Sequence, residues 1–221
     1  MQEDPSTPGT LRRIFRFVRW VFVLCASAIV LLFALLWSDH FRSTSLPTPT
    51  GPFAVGRAIY DWTDADGLDP LAPAPNTKRE LLVWVWYPAE RRSSDKVADY
   101  LPQQLREQVA RQSGFVLTQL FTRDHAKVHA NALNDADISA QQPVYPLVIL
   151  RAGASLEVWN HSTLAEDLAS HGYVVAGIDA PYRAITVVFP DGRVIRRLPQ
   201  NNPEFAWRRV ERTAPHVSAG Y

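Results

Sequence analysis

The stretch PLVILRAGASLEVWNHSTLAEDLASHGYVVAGID, residues 146–179, decides the fold. It connects two apolar runs, Val144–Leu150 and Tyr173–Ile178, that lack the regular polar alternation of a half-exposed strand. Such runs are typical of strands buried on both faces of a parallel sheet. Between them, Thr163 and Glu166 form a capping-box pattern that predicts the start of a helix. The spacing therefore predicts a right-handed strand–helix–strand unit and an α/β fold.

Ligand sites of open α/β sheets lie beyond the carboxyl ends of the strands. Two segments occupy that position here, Arg151–Leu156 after the first strand and Asp179–Arg183 after the second. Ordinary connecting loops would stand at the same places, because every α/β protein has several strand ends. Both interpretations stay open from the pattern alone.

An antiparallel hairpin is predicted earlier in the chain. The run Leu81–Tyr87 (LLVWVWY) is dense in strand formers and is followed by Pro88, where we expect the strand to end. Its partner is Ala54–Trp62, and Trp84 and Trp86 share one strand face as candidate core aromatics. A long joining loop is expected from the breakers and charges between the runs: Asp64, Asp66, Gly67, Pro70, Pro73 and Pro75.

Two further elements are predicted from local patterns. Residues 103–121 carry apolar side chains near helical spacing, which indicates an amphipathic helix interrupted at Ser113–Gly114. Thr186–Phe189 and Arg193–Ile195 flank Pro-Asp-Gly and are typical of a hairpin with a tight turn.

Composition excludes several classes of protein. The 221 residues carry 23 basic and 22 acidic side chains, a formal charge of +1, so the sequence lacks the excess of positive charge expected of a nucleic-acid-binding protein. Cys25 is the single cysteine, which rules out an intramolecular disulfide. We expect no nucleic-acid partner.

The N-terminal part predicts a membrane anchor. Residues 20–37 contain no charge and would form a helix of about 27 Å, with tryptophans at both ends. Four arginines precede the run (Arg12, Arg13, Arg16 and Arg19), so the positive-inside rule makes residues 1–19 cytoplasmic. Residues 38–52, rich in Ser, Thr and Pro, form a predicted linker, and residues 53–221 form the extracytoplasmic domain of a single-pass membrane protein.

Two alternatives to this signal anchor remain. The triplet Ala26-Ser27-Ala28 fits a signal-peptidase site chemically, although it stands in the middle of the apolar run. A buried core helix is the other alternative, but such a helix in a small protein usually has a polar face.

These segments together resemble the α/β-hydrolases related to platelet-activating factor acetylhydrolase, including dienelactone-hydrolase-like bacterial members. In that family a strand leads into a glycine-containing loop, then into a helix that ends in Asp-Leu-Ala-Ser-His-Gly, as Asp167–Gly172 does here. Thr50–Val55, Arg79–Ala89 and the turn Phe189–Arg193 resemble other parts of the family pattern. The resemblance covers residues 50–197 and implies the N-terminal part of an α/β-hydrolase fold, a mostly parallel sheet with an antiparallel N-terminal hairpin preceded by one transmembrane helix.

The resemblance implies a serine esterase that acts on lipid or small esters without a metal or cofactor. Gly153 and Ala154 fall where the family places its oxyanion-hole loop, whose backbone N–H groups hold the charge that develops on the ester oxygen. Ala152 replaces the usual His or Pro of that loop, and Ser155 replaces its second Gly.

The nucleophile elbow of the fold, G-x-S-x-G, occurs nowhere in the 221 residues. The expectation is a chain that stops before the catalytic half, so that no catalytic residue is identified firmly. Ser155, Asp179 and His216 stand in hydrolase order and are weak candidates for a triad. The alternative is a non-catalytic, membrane-tethered binding domain.

His125 and His129 are four residues apart and would share one face of a predicted helix. A zinc site needs three or four ligands, and no further residue is placed to complete one. We therefore predict no metal site.

Overall fold

The structure is a computed structural model that describes residues 8–114, 123–153 and 156–201. Its helices are α1 (Pro8–His40), α2 (Gln103–Ser113) and α3 (Ser162–Ser170). Its strands are β1 (Thr44–Ser45), β2 (Ala54–Leu68), β3 (Lys78–Ala89), β4 (Val97–Asp99), β5 (Val128–Asn134), β6 (Leu147–Arg151), β7 (Val174–Asp179), β8 (Thr186–Val188) and β9 (Val194–Arg196).

Seven of these strands form one mixed sheet in the order β1-β5-β2-β3-β7-β6, with β4 paired to β5. The β2–β3 and β3–β7 pairs are antiparallel, whereas β6 and β7 are parallel neighbours joined by α3. The strands β8 and β9 form a separate hairpin. The α/β class, the N-terminal hairpin and the strand–helix–strand unit predicted from the sequence are all confirmed. The expectation that Val144–Leu150 is buried on both faces is wrong: β6 ends the described sheet, and its Leu147 and Ile149 side chains are 60% and 67% exposed.

The β2–β3 hairpin is longer than predicted. Pairing runs from Ala54 opposite Ala89 to Asp64 opposite Arg79, then resumes at Leu68 after a bulge. Pro88 lies inside β3, so the expectation that it ends the strand is wrong. The Pro88 carbonyl accepts a hydrogen bond from the Ser139 N–H (2.9 Å).

The core lies on the face of the sheet that carries α3. Trp84 and Trp86 are both buried on that face, and their rings stack with centroids 5.8 Å apart, as predicted for core aromatics. Val158 and Ala165, from the connection and helix between β6 and β7, pack in the same cluster. The two indoles therefore hold the strand–helix–strand unit against the N-terminal hairpin.

The start of α3 differs from the predicted capping box. The helix begins at Ser162, its N-terminal cap is His161, and no side chain caps it. Glu166 is instead fully buried, and its carboxylate accepts hydrogen bonds from the backbone and side chain of Asn131 on β5 (3.0–3.3 Å). The capping prediction is wrong because the glutamate satisfies donors of a distant strand.

The N-terminal helix α1 extends beyond the predicted residues 20–37 at both ends. By length and composition, Arg12–His40 is apolar enough to cross a membrane. The segment after it is less irregular than a plain linker, because Thr44–Ser45 pair in parallel with β5. Asp39 at the end of α1 also accepts two hydrogen bonds from the Arg123 guanidinium (2.9 Å each).

The helix predicted over residues 103–121 is described as far as Ser113, where it ends before Gly114 with a positive φ of 73°. Residues 115–122 lie outside the described part of the chain. The shared helix face expected for His125 and His129 is wrong. His125 lies in a 3-10 turn and His129 in β5, because the strand pairing of this segment overrides its helical spacing.

Candidate active site

A pocket of about 210 Å³ opens at the carboxyl ends of the parallel strands β6 and β7. The two segments singled out in the sequence meet there, because adjacent parallel strands end at the same edge of a sheet. Its lining residues come from both segments and their flanks: Arg151, Ala152, Gly153, Leu156, Ile178, Asp179, Ala180, Arg183 and Ala184. A pocket therefore lies at the two strand ends that the sequence singled out.

Asp179 ends β7 and is only 3% exposed. Burial raises the pKa of its carboxyl to about 7, the negative charge of Glu157 adds to the rise, and a hydrogen bond from the Val158 N–H to Oδ1 (2.9 Å) opposes it. The pocket therefore contains a carboxyl group that exchanges its proton near neutral pH.

Glu157 is the second buried carboxyl beside this pocket. Its Oε1 accepts a hydrogen bond from the Thr186 N–H (3.2 Å), and its Oε2 accepts one from the Asn160 amide (3.3 Å). Burial raises its pKa, and these hydrogen bonds and the charge of Arg197 oppose the rise. Glu157 thus ties the connection after β6 to the start of the β8–β9 hairpin.

The rim of the pocket is positively charged. Arg151 is the last residue of β6, and Arg183 follows the end of β7. Neither guanidinium forms an ion pair with a carboxylate within the described ranges. Such a rim attracts anionic groups of a ligand.

Gly153 is exposed at the pocket, and a Cβ atom added to it would meet no atom within 4 Å. The Leu156 N–H donates to the Gly153 carbonyl (3.1 Å). Among the residues that the structure describes, none therefore demands a glycine at this position.

Of the three weak candidates for a triad, the structure describes only one. Asp179 lies on the pocket, whereas Ser155 and His216, as well as Ala154 of the predicted oxyanion loop, lie outside the described residues. The described histidines occupy other places; His171, for example, contacts Thr50 and Asp167 at the end of α3. The triad therefore stays a prediction.

His125 lies in an aromatic cluster with Tyr100 and Trp159. The ring centroids of Tyr100 and Trp159 each lie 6.1 Å from the ring centroid of His125. Burial lowers its pKa; the charge of Asp124 opposes that change, and the charge of Arg106 adds to it. Among the described residues, no group of three or more His, Cys, Asp or Glu side chains is placed to hold a metal.

Sequence reasoning missed the buried state of Glu157 and Glu166. Each is less than 10% exposed and accepts backbone hydrogen bonds from another element. The available signal was position, since both occur in the connection between β6 and β7.

The sequence model of the family described as "Platelet-activating factor acetylhydrolase, isoform II" matches residues 39–191. Among solved structures, the chain is similar to a ferulic acid esterase from Streptomyces cinnamoneus, with 27% sequence identity and a TM-score of 0.58. That match covers 80% of this chain and 51% of the esterase, so the chain spans about half the esterase's length. No curated protein matches the sequence.

Proposed function

This chain belongs to the family of platelet-activating factor acetylhydrolase, isoform II, and from that premise we propose that it serves in hydrolysing carboxylic or phospholipid esters at a membrane. The observation that carries the proposal is the pocket at the ends of β6 and β7, which Gly153 and the buried Asp179 both line. Similarity to a solved ferulic acid esterase supports the same reaction class.

In this proposal the loop after β6 provides the oxyanion side of the site. The backbone N–H of Ala154 would donate to the ester oxygen as negative charge develops on it, and preorganised donors of this kind stabilise the transition state by about 3–4 kcal/mol. The open space at Gly153 admits the ester group. Arg151 and Arg183 would attract the phosphate of a phospholipid substrate to the pocket rim.

The proposed nucleophile, base and acid are Ser155, His216 and Asp179. A serine hydroxyl becomes an effective nucleophile when a histidine accepts its proton, and an ionised aspartate orients that histidine. Burial disfavours the ionised form of Asp179. A histidine N–H placed on its free oxygen would lower the pKa of Asp179 and complete the acid–base pair.

Anchoring by α1 would keep the domain at the membrane surface. The helix is long and apolar enough to span a bilayer, and the arginines before it support a cytoplasmic N-terminus with the domain on the other side. An enzyme held at the membrane surface is already next to the lipid esters of the bilayer. The proposed location is therefore consistent with a lipid substrate.

The experiment is turnover of 4-nitrophenyl butyrate by the full chain in detergent micelles, compared with Ser155→Ala, His216→Ala and the control Ser139→Ala. Ser139 is a buried serine outside the pocket. Turnover that disappears in the first two variants and persists in the control supports the proposal. Turnover at the background rate in the folded wild-type chain refutes hydrolysis by this chain itself.

A non-catalytic binding domain is the second candidate, because the sequence contains no G-x-S-x-G. It predicts saturable binding of an ester without turnover. Equilibrium dialysis with radiolabelled platelet-activating factor in the same micelles distinguishes the two functions, since the binding domain retains the intact ester and the hydrolase releases acetate.

A further inference from the structure

The end of α1 is bonded directly to the domain. The Arg123 guanidinium donates two hydrogen bonds to the Asp39 carboxylate (2.9 Å each), and the Asp124 N–H donates to the His40 carbonyl (3.1 Å). His40 itself is only 4% exposed. The last turn of the helix is therefore part of the folded domain.

The residues that follow α1 pair with the start of β5. Thr44–Ser45 pairs in parallel with Val128 and His129, and the Leu46 N–H donates to the His129 carbonyl (2.9 Å). The Ser43 hydroxyl lies 3.0 Å from Nε2 of the His129 ring. These contacts fix the start of β5 beside the end of α1. We call the two segments the α1–β5 junction, residues 39–46 and 123–129.

Trp37 indicates the depth of this junction in a bilayer that α1 spans. Tryptophan is enriched where the hydrocarbon core meets the headgroups, and Trp37 ends the apolar run of α1. Asp39 and His40 follow it by two and three residues, which is about 3–5 Å along a helix axis. The headgroup layer is about 5–8 Å thick on each side of the core. Asp39, His40 and the groups bonded to them therefore lie at headgroup depth.

Trp37 and Phe41 form an exposed aromatic pair beside the junction. Their ring centroids are 5.3 Å apart, and the two residues are 49% and 47% exposed. Large exposed aromatic side chains next to a spanning helix fit the boundary between headgroups and acyl chains. The exposure of Phe41 therefore agrees with the depth that Trp37 indicates.

Two cations of the junction, Arg42 and Lys127, are exposed, and neither forms an ion pair within the described part of the chain. Lys127 lies near the end of α1, because its N–H donates to the carbonyl of Asp124 (2.8 Å). The Asp39 carboxylate is paired already, and that of Asp124 accepts from the Ala126 N–H (2.8 Å). The junction has three Lys or Arg residues and two Asp, so its formal charge is positive. An anionic membrane surface attracts such cations.

We propose that the α1–β5 junction holds the domain against the headgroup layer, where Arg42 and Lys127 bind the phosphates of anionic phospholipids. The inference rests on the anchoring by α1 in the proposed function. It goes beyond that anchoring, because a domain on a free linker has no fixed side towards the bilayer, whereas here the start of β5 is that side.

The test measures how close the junction lies to lipid in nanodiscs of phosphatidylcholine and phosphatidylglycerol. The full chain carries Cys25→Ser, and a bimane fluorophore labels one introduced thiol, either Ala126→Cys in the junction or Lys96→Cys. The Lys96 carbonyl accepts from the Asn134 N–H, about 20 Å along β5 from Val128. A lipid with a nitroxide on its acyl chain, next to the headgroup, quenches a nearby label. We expect a greater loss of fluorescence at Ala126 than at Lys96.

Lipid recognition is tested with the nitroxide on phosphatidylglycerol or on phosphatidylcholine, at the same mole fraction. Phosphatidylglycerol should quench the Ala126 label at least about fivefold more strongly, which corresponds to the attraction of one Lys or Arg to an anionic surface. The double variant Arg42→Gln and Lys127→Gln should lose this preference. Arg91→Gln with Lys96→Gln is the matched control and should keep it, because both residues are exposed cations outside the junction.

Alkaline carbonate extraction of the same chains separates this inference from the anchor on which it rests. Release from membranes would refute the anchor, and the inference with it. Retention with equal quenching at Ala126 and Lys96 would refute the position of the junction alone. No preference for phosphatidylglycerol, or its equal loss in both double variants, would refute phosphate binding by Arg42 and Lys127. Near-UV circular dichroism confirms that each variant is folded.

Discussion

The buried carboxyl of Asp179 predicts a specific dependence of stability on pH. Its pKa is about 7 in the folded chain, against an ordinary value of 3.8, so the folded state binds the proton more tightly than the unfolded state. Stability should therefore fall as the pH rises from about 4 to 7, and the loss is complete above pH 7. At about 1.4 kcal/mol for each tenfold change in proton affinity, this loss reaches roughly 4 kcal/mol at most.

Asp179→Asn removes the ionisation and keeps an oxygen to accept from the Val158 N–H. Burying the extra amide N–H groups costs about 1–3 kcal/mol. We expect the variant to be less stable than wild type at pH 4 and more stable by about 1–3 kcal/mol at pH 8. The curves of unfolding free energy against pH should cross between these values.

The assay is urea unfolding of the full chain in detergent micelles, followed by tryptophan fluorescence from pH 4 to 8. Asp167→Asn is the control, because Asp167 is partly exposed and hydrogen bonds from Thr50 lower its pKa. The ionised Asp167 carboxylate stabilises the fold at pH values above its ordinary pKa. Asp167→Asn should therefore be less stable than wild type at pH 8, whereas Asp179→Asn should be more stable. Parallel curves for wild type and Asp179→Asn would refute a carboxyl titrating near neutral pH.

Three further predictions concern the site and the anchor. Glu157→Gln removes a charge that raises the pKa of Asp179 and a second carboxyl whose own pKa is raised by burial. In the same urea assay, the loss of stability with rising pH should therefore be smaller than in the wild type; an unchanged pH profile would contradict this. Gly177→Ala puts a Cβ atom 2.3 Å from Val158 and should destabilise the fold by about 1–3 kcal/mol in urea unfolding. Gly153→Ala meets no atom of the described residues within 4 Å and should cost under about 0.5 kcal/mol; equal losses would rule out the packing argument. The double substitution Ile29→Arg and Val30→Arg places two charges in the predicted span, and each charge in the bilayer costs about 3 kcal/mol. The variant should therefore be released from membranes by alkaline carbonate extraction, and full retention would count against a spanning helix.

The parts of the fold that depend on neighbouring residues along the chain could be predicted from the sequence. The strands β6 and β7 follow from uninterrupted apolar runs, and the β8–β9 hairpin follows from its Pro-Asp-Gly turn. The position of the pocket also followed, because parallel neighbours end at one edge. These features need no information about distant contacts.

The failures share one physical cause, which is pairing with a distant segment. Glu166 has the spacing of a helix cap, yet the donors it meets belong to β5, 34 and 35 positions earlier. His125 and His129 have helical spacing, yet strand pairing determines the conformation of that segment. Arg57 looked like an ordinary polar strand residue, and only the packing of α2 and two hairpins encloses it beside Trp84.

Gly177 shows how the fold and the site depend on each other. In the sequence it is one more small residue of an apolar run, but its missing side chain allows Val158 to lie directly against β7. The backbone N–H of the same Val158 holds the carboxylate of Asp179, two residues after Gly177. The segment whose side chain packs against Gly177 therefore also orients the carboxyl group in the candidate active site and opposes the rise of its pKa by burial.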